Sequence, residues 1–182
     1  MVNICKIKLT NLQQEIMRLL FLKTGVPLNQ RRIAKLLEVS PPAVMKALPY
    51  LEKENFIKVA KDKESKRWSI ELNSNNIQIT RLKKVNNILF LYESGFTNYI
   101  QEEYAGATII VFGSYSRGED TYTSDIDVAV IGRKEKIINL NKFEKILERK
   151  IHINYYESWD KLNSQLKNNI LNGIILIGGV EL

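Results

Sequence analysis

The sequence predicts an α+β fold in two parts: a helical N-terminal module that ends in a β-hairpin, and a small C-terminal α/β domain with a mixed sheet. Two observations lead to this prediction. Apolar residues first recur at helical spacing, and several later segments are apolar runs or alternate between apolar and polar residues, as strands do. We expect the N-terminal module over residues 1–75, linker helices over residues 76–105 and the second domain over residues 106–182.

The charge of the chain is distributed unevenly. The 182 residues carry a net charge of +7. Residues 1–75 hold 14 Lys and Arg against 7 Asp and Glu, whereas residues 76–182 hold 13 of each kind. An asymmetry of this kind favours a module that binds a polyanion joined to a neutral one. A basic surface can also simply be solvated. Charge alone therefore does not establish polyanion binding, and the sequence pattern of the module is needed as well.

Cysteine content and hydropathy indicate a cytoplasmic protein. The single cysteine, Cys5, has no partner for an internal disulfide, which suits a reducing compartment. The N-terminus lacks an apolar core of signal-peptide length, and the longest apolar runs, such as Ile174–Ile177, are far too short to span a bilayer. We therefore expect no membrane partner.

The N-terminal pattern predicts three short helices. The first is expected to end at residues 25–27, and the second to cover about residues 29–37. Ser40 is a typical N-cap for the third, and Pro41 and Pro42 fit its first turn, where missing N–H groups cost nothing. Pro49 should bend or weaken the last turns of that helix. The apolar positions expected to be buried include Leu12, Ile16, Leu19, Leu20, Ile33, Leu36, Leu37, Val44, Leu48 and Leu51.

A basic hairpin follows the three helices. Residues 56–59 and the strictly alternating Trp68–Leu72 predict its two strands, and the charged string AKDKESKR its tip. With the string IAKLLEVSPPAVMKALPYLEKENFI before it, this order resembles the winged helix-turn-helix of MarR-like regulators.

That resemblance implies double-stranded DNA as a partner. The third helix would enter the major groove, and the wing at residues 61–67 would lie along the backbone. The groove-facing candidates are Ser40, Pro41, Met45 and Lys46. Phosphate contacts would come from Arg31, Arg32, Lys61, Lys63, Lys66 and Arg67. A winged helix used for protein contacts is the alternative, and the basic excess favours DNA.

Polar residues 73–76 predict a linker between the two parts. A helix should follow over about residues 81–92, with Leu82, Val85, Leu89 and Tyr92 on one face, and another over about residues 97–104. Near the C-terminus we expect a helix marked by Phe143, Ile146 and Leu147. A last helix, marked by Trp159, Leu162, Leu166 and Ile170, should end at Gly173 before a short strand over Ile174–Ile177.

The stretch at residues 108–131 carries the clearest chemical pattern. Thr108–Phe112 predicts a buried strand that ends in Gly113-Ser114, where a small backbone lets a phosphate approach main-chain N–H groups. After a polar loop, Asp125 and Asp127 alternate with aliphatic residues, which puts both carboxylates on one face of a strand, about 7 Å apart. Their repulsion, about 2–3 kcal/mol at an effective dielectric of 20, does not by itself demand a metal. Together with the Gly-Ser turn, however, the pair suits Mg²⁺ (or Mn²⁺) carrying a nucleoside triphosphate.

G-S-x-x-x-G followed by S-D-I-D resembles the signature of minimal nucleotidyltransferases in the DNA polymerase β-type superfamily. The matching residues are Gly113, Ser114, Gly118, Ser124, Asp125 and Asp127. The resemblance implies that the Gly-Ser turn holds the triphosphate, expected to be that of ATP, with Gly118 and Ser124 in the same nucleotide-binding set. It also implies that the two aspartates are catalytic and hold the metal ions. Arg117 either touches phosphate or pairs with Glu119 or Asp120 at the surface.

A third carboxylate on the neighbouring strand is usual in active members of that family, where it activates the attacking hydroxyl and helps to hold the second metal. Alternation in the next predicted strand, residues 150–156, turns Ile151, Ile153 and Tyr155 to the core and His152 to the site. His152, the only histidine, therefore occupies the expected acidic position. A neutral imidazole can act as a base or a ligand, but it is a poor ligand for Mg²⁺. The alternative is a surface histidine on a strand edge.

Three functions remain open from the sequence. The first is Mg²⁺-dependent transfer of a nucleoside monophosphate from an NTP to a hydroxyl acceptor, expected on a protein. The second is a transcriptional regulator whose nucleotidyltransferase domain is catalytically impaired. The third is an antitoxin-like protein with a partner such as a HEPN-type protein. A homodimer is compatible with each of these functions.

Overall fold

The computed structural model describes residues 8–61, 63 and 67–180, and the chain divides into two compact units, Met1–Ile79 and Thr80–Leu182. The predicted α+β class is confirmed: a winged helix-turn-helix is followed by connecting helices and a small domain with a four-stranded mixed sheet. Among the described residues, no helix has the length and apolar character that crossing a bilayer requires.

The N-terminal unit contains three helices and a two-stranded hairpin. The elements are α1 (Asn11–Leu22), α2 (Gln30–Leu36), α3 (Pro41–Lys53), β1 (Ile57–Lys61) and β2 (Trp68–Leu72). The hairpin is antiparallel, with Ile57 opposite Leu72 and Lys61 opposite Trp68. A further bridge joins Leu28, between α1 and α2, to Ile70. This is the predicted order of elements, and it places the wing directly after α3.

Side-chain caps explain where these helices begin. Thr10 and Gln13 form a reciprocal capping box at α1, with N···O distances of 3.3 and 2.9 Å. The side chains of Asn29 and Ser40 cap α2 and α3 by each accepting one backbone N–H bond, from Arg32 and Ala43. Pro49 does not end α3, which continues to Lys53.

The burial prediction for the second helix is wrong at Leu36, and Leu37 is only partly buried. Ile33 is fully buried, but Leu36 is 39 % exposed and Ala34 is buried in its place. Since α2 has only seven residues, its narrow inner face holds Ile33 and Ala34, and Leu36 falls outside it. The core of this unit otherwise contains the expected Ile16, Leu20, Val44, Leu48 and Leu51, together with Met17, Phe21 and Ile70.

The polar segment after the wing is anchored by hydrogen bonds. The Asn73 side-chain amide donates to the Asn55 carbonyl at 3.0 Å and to its side-chain oxygen at 2.8 Å, and Asn76 also donates to the Asn55 carbonyl. Asn55 has a left-handed backbone, with φ of 59°. The segment predicted as a linker is therefore tied to the turn between α3 and β1.

The C-terminal unit is built around a sheet with strand order β5-β4-β3-β6. Strand β3 pairs antiparallel with β4 and β6, while β4 and β5 are parallel. The chain enters this unit through α4 (Ile77–Glu93). The other elements are α5 (Phe96–Glu103), β3 (Thr108–Phe112), α6 (Gly113–Arg117), β4 (Ile126–Ile131), α7 (Asn141–Leu147), β5 (Ile151–Tyr156), a 3₁₀ turn (Trp159–Lys161), α8 (Ser164–Leu171) and β6 (Ile174–Ile177).

Both faces of the sheet are covered. Val111, Val128 and Ile151 lie on one face, in a core shared with Phe96 of α5 and Phe143 of α7. The opposite face carries Ile110, Phe112, Ala129 and Ile131, which pack with Ile170 of α8. Asp125, Asp127, Ala129 and Ile131 are at alternate positions along the chain. Because alternate side chains of a strand share a face, the two carboxylates lie at one end of this second face.

Two predicted segments have a different form. Residues 113–117, expected to be in a loop, form the short helix α6. The single helix expected between Trp159 and Ile170 is a 3₁₀ turn followed by α8, because Asn163 caps a new helix by accepting the backbone N–H of Leu166 at 2.8 Å.

The orientation of α4 also differs from the expected one. Val85, Leu89 and Tyr92 are 68 %, 44 % and 51 % exposed. The buried stripe consists of four residues at a spacing of four: Ile79, Lys83, Asn87 and Leu91. Val85, Leu89 and Tyr92 of the predicted face thus point outward and Leu82 is only partly buried, because the buried face of α4 includes Lys83 and Asn87, whose polar side chains have buried partners.

Candidate active site

Gly113 and Asp127 face each other where β3 ends and β4 begins. In the antiparallel register Phe112 pairs with Asp127, so the residue after Phe112 meets the aspartate. Gly113 has a left-handed φ of 73°, and a Cβ atom there would come within 2.6 Å of Asp127 Oδ2. Only glycine fits this backbone position without displacing the carboxylate. The predicted pairing of the Gly-Ser turn with an aspartate is therefore present in the fold.

The environment of Asp127 disfavours its charged form. Burial raises the pKa of Asp127 above its usual value; the charge of Asp125 also raises it, and His152 acts in the opposite direction. A carboxylate with these surroundings gains from a nearby cation, because a positive charge offsets both unfavourable contributions.

His152 lies beside the two aspartates, as the strand alternation predicts. In the parallel pairing of β4 and β5, Asp127 is opposite His152. The imidazole Nε2 is 3.4 Å from Asp125 Oδ2, and the two side chains are 61 % and 47 % exposed. The contact is therefore open to solvent and to a ligand.

Glu144, in the first turn of α7, is the carboxylate that anchors the start of β5. Its Oε1 accepts the backbone N–H of Ile151 at 3.1 Å, and its Oε2 is 2.7 Å from Lys150 Nζ. The hydrogen bond from Lys150 is the main cause that lowers the pKa of Glu144, and the bond from Ile151 adds to it. Both oxygens of Glu144 hold the strand that presents His152.

A buried polar cluster lies next to the site and was not predicted from the sequence. Lys83 Nζ is 2.9 Å from Asp120 Oδ1, and Arg149 is 3.5 Å from Asp120 Oδ2, with all three side chains at most 2 % exposed. Asn87 donates to Asp120 Oδ1 at 2.7 Å and to the Tyr115 carbonyl at 2.9 Å. Burial is the largest influence on Lys83 and lowers its pKa, while Asp120 opposes this effect.

This cluster connects four segments around the candidate site. Lys83 and Asn87 belong to α4, Tyr115 to α6, and Arg149 lies two residues before β5. Asp120 lies in the segment between α6 and Asp125. The sequence gives one signal for the cluster. Lys83 and Asn87 are four residues apart and continue the spacing of Ile79 and Leu91 on the same helix face.

Three residues of the predicted nucleotide-binding set have other partners. Gly118 has a φ of 75°, and a Cβ there would come within 2.3 Å of the Thr80 carbonyl, so this glycine allows α6 to approach the backbone of α4. Ser124 Oγ accepts the backbone N–H of Thr121 at 2.9 Å and closes the turn before Asp125. Arg117 pairs with Glu119 at 2.7 Å on the surface, which is one of its two predicted alternatives.

An open groove of about 760 Å³ lies next to Asp125. One wall is formed by residues 122–125, and the other by α7 and the residues leading into β5. A cavity of similar size, about 730 Å³, lies at the opposite end of the sheet, around Trp159 and Gly179. We assign the candidate site to the first groove because the carboxylates and Gly113 lie at that end of the sheet.

The residues fit a metal ion that arrives with a nucleotide. Within the described residues, no three His, Cys, Asp or Glu side chains form a ready metal-binding group. A magnesium ion in a nucleotide site does not need one, because it is usually bound by one or two carboxylates together with phosphate oxygens and water. Asp125 and Asp127 provide the carboxylates, and the missing Cβ of Gly113 leaves room beside Asp127.

The residues predicted to contact DNA lie on the surface of the N-terminal unit. Arg31 and Arg32 are exposed on α2, Pro41 and Lys46 are exposed on α3, and Met45 is partly buried. Ser40 is exposed, but its hydroxyl caps α3 through Ala43 N–H at 3.3 Å. In the wing, Lys61, Lys63 and Arg67 are exposed, and Lys61 Nζ lies 5.3 Å from the ring centre of Trp68. Lys66 lies outside the described residues.

Fold and site together define a winged helix module followed by a nucleotidyltransferase-type α/β domain. Comparison with protein families agrees: residues 94–177 match the family described as nucleotidyltransferase domain, and residues 9–68 match the MarR family. The chain therefore combines a region similar to the MarR family with a region similar to the nucleotidyltransferase family, as the sequence motifs predicted. No curated protein gives a significant match.

Several solved structures of MarR-type regulators resemble part of the chain. MepR of S. aureus in complex with DNA is 22 % identical, over 52 % of this chain and 77 % of MepR, with a TM-score of 0.39. A ZitR mutant of Lactococcus lactis is 22 % identical, over 56 % of this chain and 66 % of ZitR, with a TM-score of 0.42. AdcR of Streptococcus pyogenes is 26 % identical, over 54 % of this chain and 69 % of AdcR, with a TM-score of 0.39. Similarity at this level supports no transfer of function.

Proposed function

We propose that the C-terminal domain binds a nucleoside triphosphate, with ATP as the first candidate, together with a divalent metal ion, and transfers a nucleoside monophosphate to a hydroxyl group on a protein. The observation that carries this proposal is the approach of Gly113 to the Asp127 carboxylate. A phosphate turn and a metal-binding carboxylate have to be neighbours for such chemistry, and the pairing of β3 with β4 makes them so.

Each group of the chain has a simple role in this proposal. The main chain at Gly113 and Ser114 approaches the triphosphate, and Asp125 and Asp127 hold the metal. A bound divalent ion would neutralise phosphate charge and orient the triphosphate. The acceptor hydroxyl enters from the groove beside Asp125. Its oxygen bonds to the α-phosphorus as pyrophosphate leaves, and its proton passes to water.

A labelling assay tests this proposal. The tag-free chain is incubated with Mg²⁺ or Mn²⁺, each labelled NTP in turn and candidate acceptor proteins, including a HEPN-type protein. We expect metal-dependent labelling of an acceptor by the natural chain and none by Asp127→Asn. Labelling that is equal in both proteins would reject the assigned site. Nucleotide binding without labelling of any acceptor would favour the second candidate below.

The second candidate is a regulator that binds nucleotide without turnover. The observation that favours it is the register of β5, which puts His152 rather than a carboxylate opposite Asp127. If turnover is lost for this reason, His152→Asp should restore it in Mg²⁺. General-base catalysis is typically worth about 10²–10⁴-fold, so the gain would be readily detected. Efficient labelling by the natural chain that His152→Asp abolishes would rule this candidate out.

For the N-terminal domain we propose binding to duplex DNA. The basic excess of residues 1–75 and the exposure of Arg31, Arg32, Lys46 and the described wing residues support this proposal. Such contacts are mainly to phosphate, so affinity should depend strongly on salt.

A further inference from the structure

His152 and Asp125 have the geometry of two ligands to one metal ion. Their Nε2 and Oδ2 atoms are 3.4 Å apart. If each metal–ligand bond is about 2.1 Å, two adjacent ligands lie about 3.0 Å apart at a right angle and about 3.4 Å apart at the tetrahedral angle. The observed separation falls within the range that adjacent ligands require. Both side chains are about half exposed or more, so an ion can reach them from solvent.

Two other acidic residues near β5, Glu144 and Glu157, are engaged elsewhere. Glu144 uses one oxygen for the Ile151 N–H and the other for Lys150. Glu157, at the far end of β5, pairs with Lys161. Lys150, the cation two residues before His152, is held by Glu144 and does not compete for Asp125. The donor that β5 presents to the aspartates is therefore the imidazole nitrogen.

A nitrogen donor changes which ion suits the site. Mg²⁺ prefers oxygen ligands, whereas imidazole favours first-row transition ions. We propose that His152 is a metal ligand alongside Asp125, so that the nucleotide site selects a first-row transition ion, such as Mn²⁺, over Mg²⁺. This inference rests on the proposed function, because the ion is the one that would accompany the nucleotide.

The assignment has a chemical consequence for His152. A nitrogen whose lone pair is bound to a metal cannot accept a proton, so His152 would act as a ligand and not as a general base. The position of the missing carboxylate is then filled by a different kind of metal donor. The substitution would thus change the metal selectivity of the site and would not abolish metal binding.

The experiment uses the tag-free full chain with Mn²⁺ and ATP, and observes the Mn²⁺ by pulsed electron paramagnetic resonance. Because the chain contains one histidine, biosynthetic labelling with [¹⁵N]histidine marks His152 alone and separates its nitrogen from those of adenine. We expect a coupling from histidine nitrogen to Mn²⁺ that changes from the ¹⁴N to the ¹⁵N pattern in labelled protein.

Affinity measurements complete the test. His152→Ala should weaken Mn²⁺ binding by about tenfold or more and Mg²⁺ binding by less than about threefold. His152→Asp, which replaces the nitrogen by oxygen, should reverse the preference towards Mg²⁺, and serves if His152→Ala folds poorly. Asn154→Ala, two residues further along the same strand face, is the matched control and should leave Mn²⁺ affinity unchanged.

These measurements distinguish a failure of the ligand role of His152 from a failure of the proposed function. Metal and nucleotide binding without histidine coupling, and without an effect of His152→Ala, would overturn the ligand role and leave the proposed function intact. A natural chain that binds neither ion in the presence of ATP would overturn both the ligand role and the proposed function.

Discussion

Lys83 Nζ lies 2.9 Å from Asp120 Oδ1, and both side chains are almost completely buried although they are separated by 37 residues in the chain. Removing two charges from water is costly, and their mutual attraction and hydrogen bonds offset part of that cost. Here the carboxylate also accepts from Asn87 and lies 3.5 Å from Arg149. The pair therefore fixes α4 against the segment that leads to Asp125.

Asp120→Ala is expected to destabilise the C-terminal domain by about 3–5 kcal/mol, because it leaves two cations buried without their carboxylate. Urea denaturation followed by circular dichroism measures the change. The matched control is Glu119→Gln, which removes the adjacent exposed ion pair with Arg117 and should cost at most about 1 kcal/mol. Equal effects of the two variants would show that the buried cluster contributes no more than a surface pair.

Gly113→Ala is expected to weaken nucleotide binding by about tenfold or more, or at least about 1.4 kcal/mol, because the new Cβ would meet Asp127 Oδ2 at 2.6 Å. Gly132→Ala is the control, since Gly132 also has a positive φ but nothing within 4 Å of an added Cβ. Both variants carry the left-handed strain of about 1–2 kcal/mol. Fluorescence titration with a nucleotide analogue would measure the affinity of each variant. A similar loss of affinity in both would show that backbone strain, and not the contact with Asp127, causes the effect.

The strands and the catalytic motif were predictable from the sequence because their signals are local. Alternation around Asp125 and Asp127 fixes which side chains share a face, and Gly113-Ser114 marks the end of the preceding strand. The position of His152 followed from the same alternation once β5 was placed beside β4. The first two inferences need only neighbours within a few residues, whereas the placement of β5 beside β4 came from the family resemblance.

The orientation of α4 could not be predicted in this way. Its apolar residues Val85, Leu89 and Tyr92 have helical spacing, but the inner face is set by the partners of Lys83 and Asn87. Those partners are the Asp120 carboxylate and the Tyr115 carbonyl, far away in the sequence. A periodic pattern shows which residues share a helix face, but it does not show which face is buried against distant parts of the chain.

Glu144→Gln is expected to lower stability at pH 7 by about 1 kcal/mol, because it weakens the bonds to Ile151 and to the exposed Lys150. The pKa of Glu144 is held below its usual 4.5, so the stabilisation is present above that pH and is lost as pH falls through the lowered pKa. The difference between the natural chain and the variant should therefore shrink below about pH 4.5. Urea denaturation at several pH values measures it. A difference that stays constant down to acid pH would contradict the assignment.

Binding of duplex DNA should weaken linearly with log salt, by about 0.9 in log affinity for each phosphate neutralised. Reversing two exposed charges of the N-terminal domain, with Lys46→Glu and Lys63→Glu, should reduce that slope. Lys134→Glu, in the electrically neutral part of the chain, is the control and should leave it unchanged. Fluorescence anisotropy with a labelled duplex provides the measurement. No affinity for any duplex at low salt would favour a winged helix that contacts proteins.

The most direct test of the nucleotide site is a calorimetric titration of the full chain with ATP, with and without a divalent metal ion. We expect binding that requires Mn²⁺ or Mg²⁺, and a loss of about tenfold or more in Asp127→Asn. The physical reason is that two carboxylates repel a triphosphate unless a cation lies between them. Equal affinity in the presence and absence of metal, or unchanged binding by Asp127→Asn, would contradict the assignment of Gly113, Asp125 and Asp127 as a metal–nucleotide site.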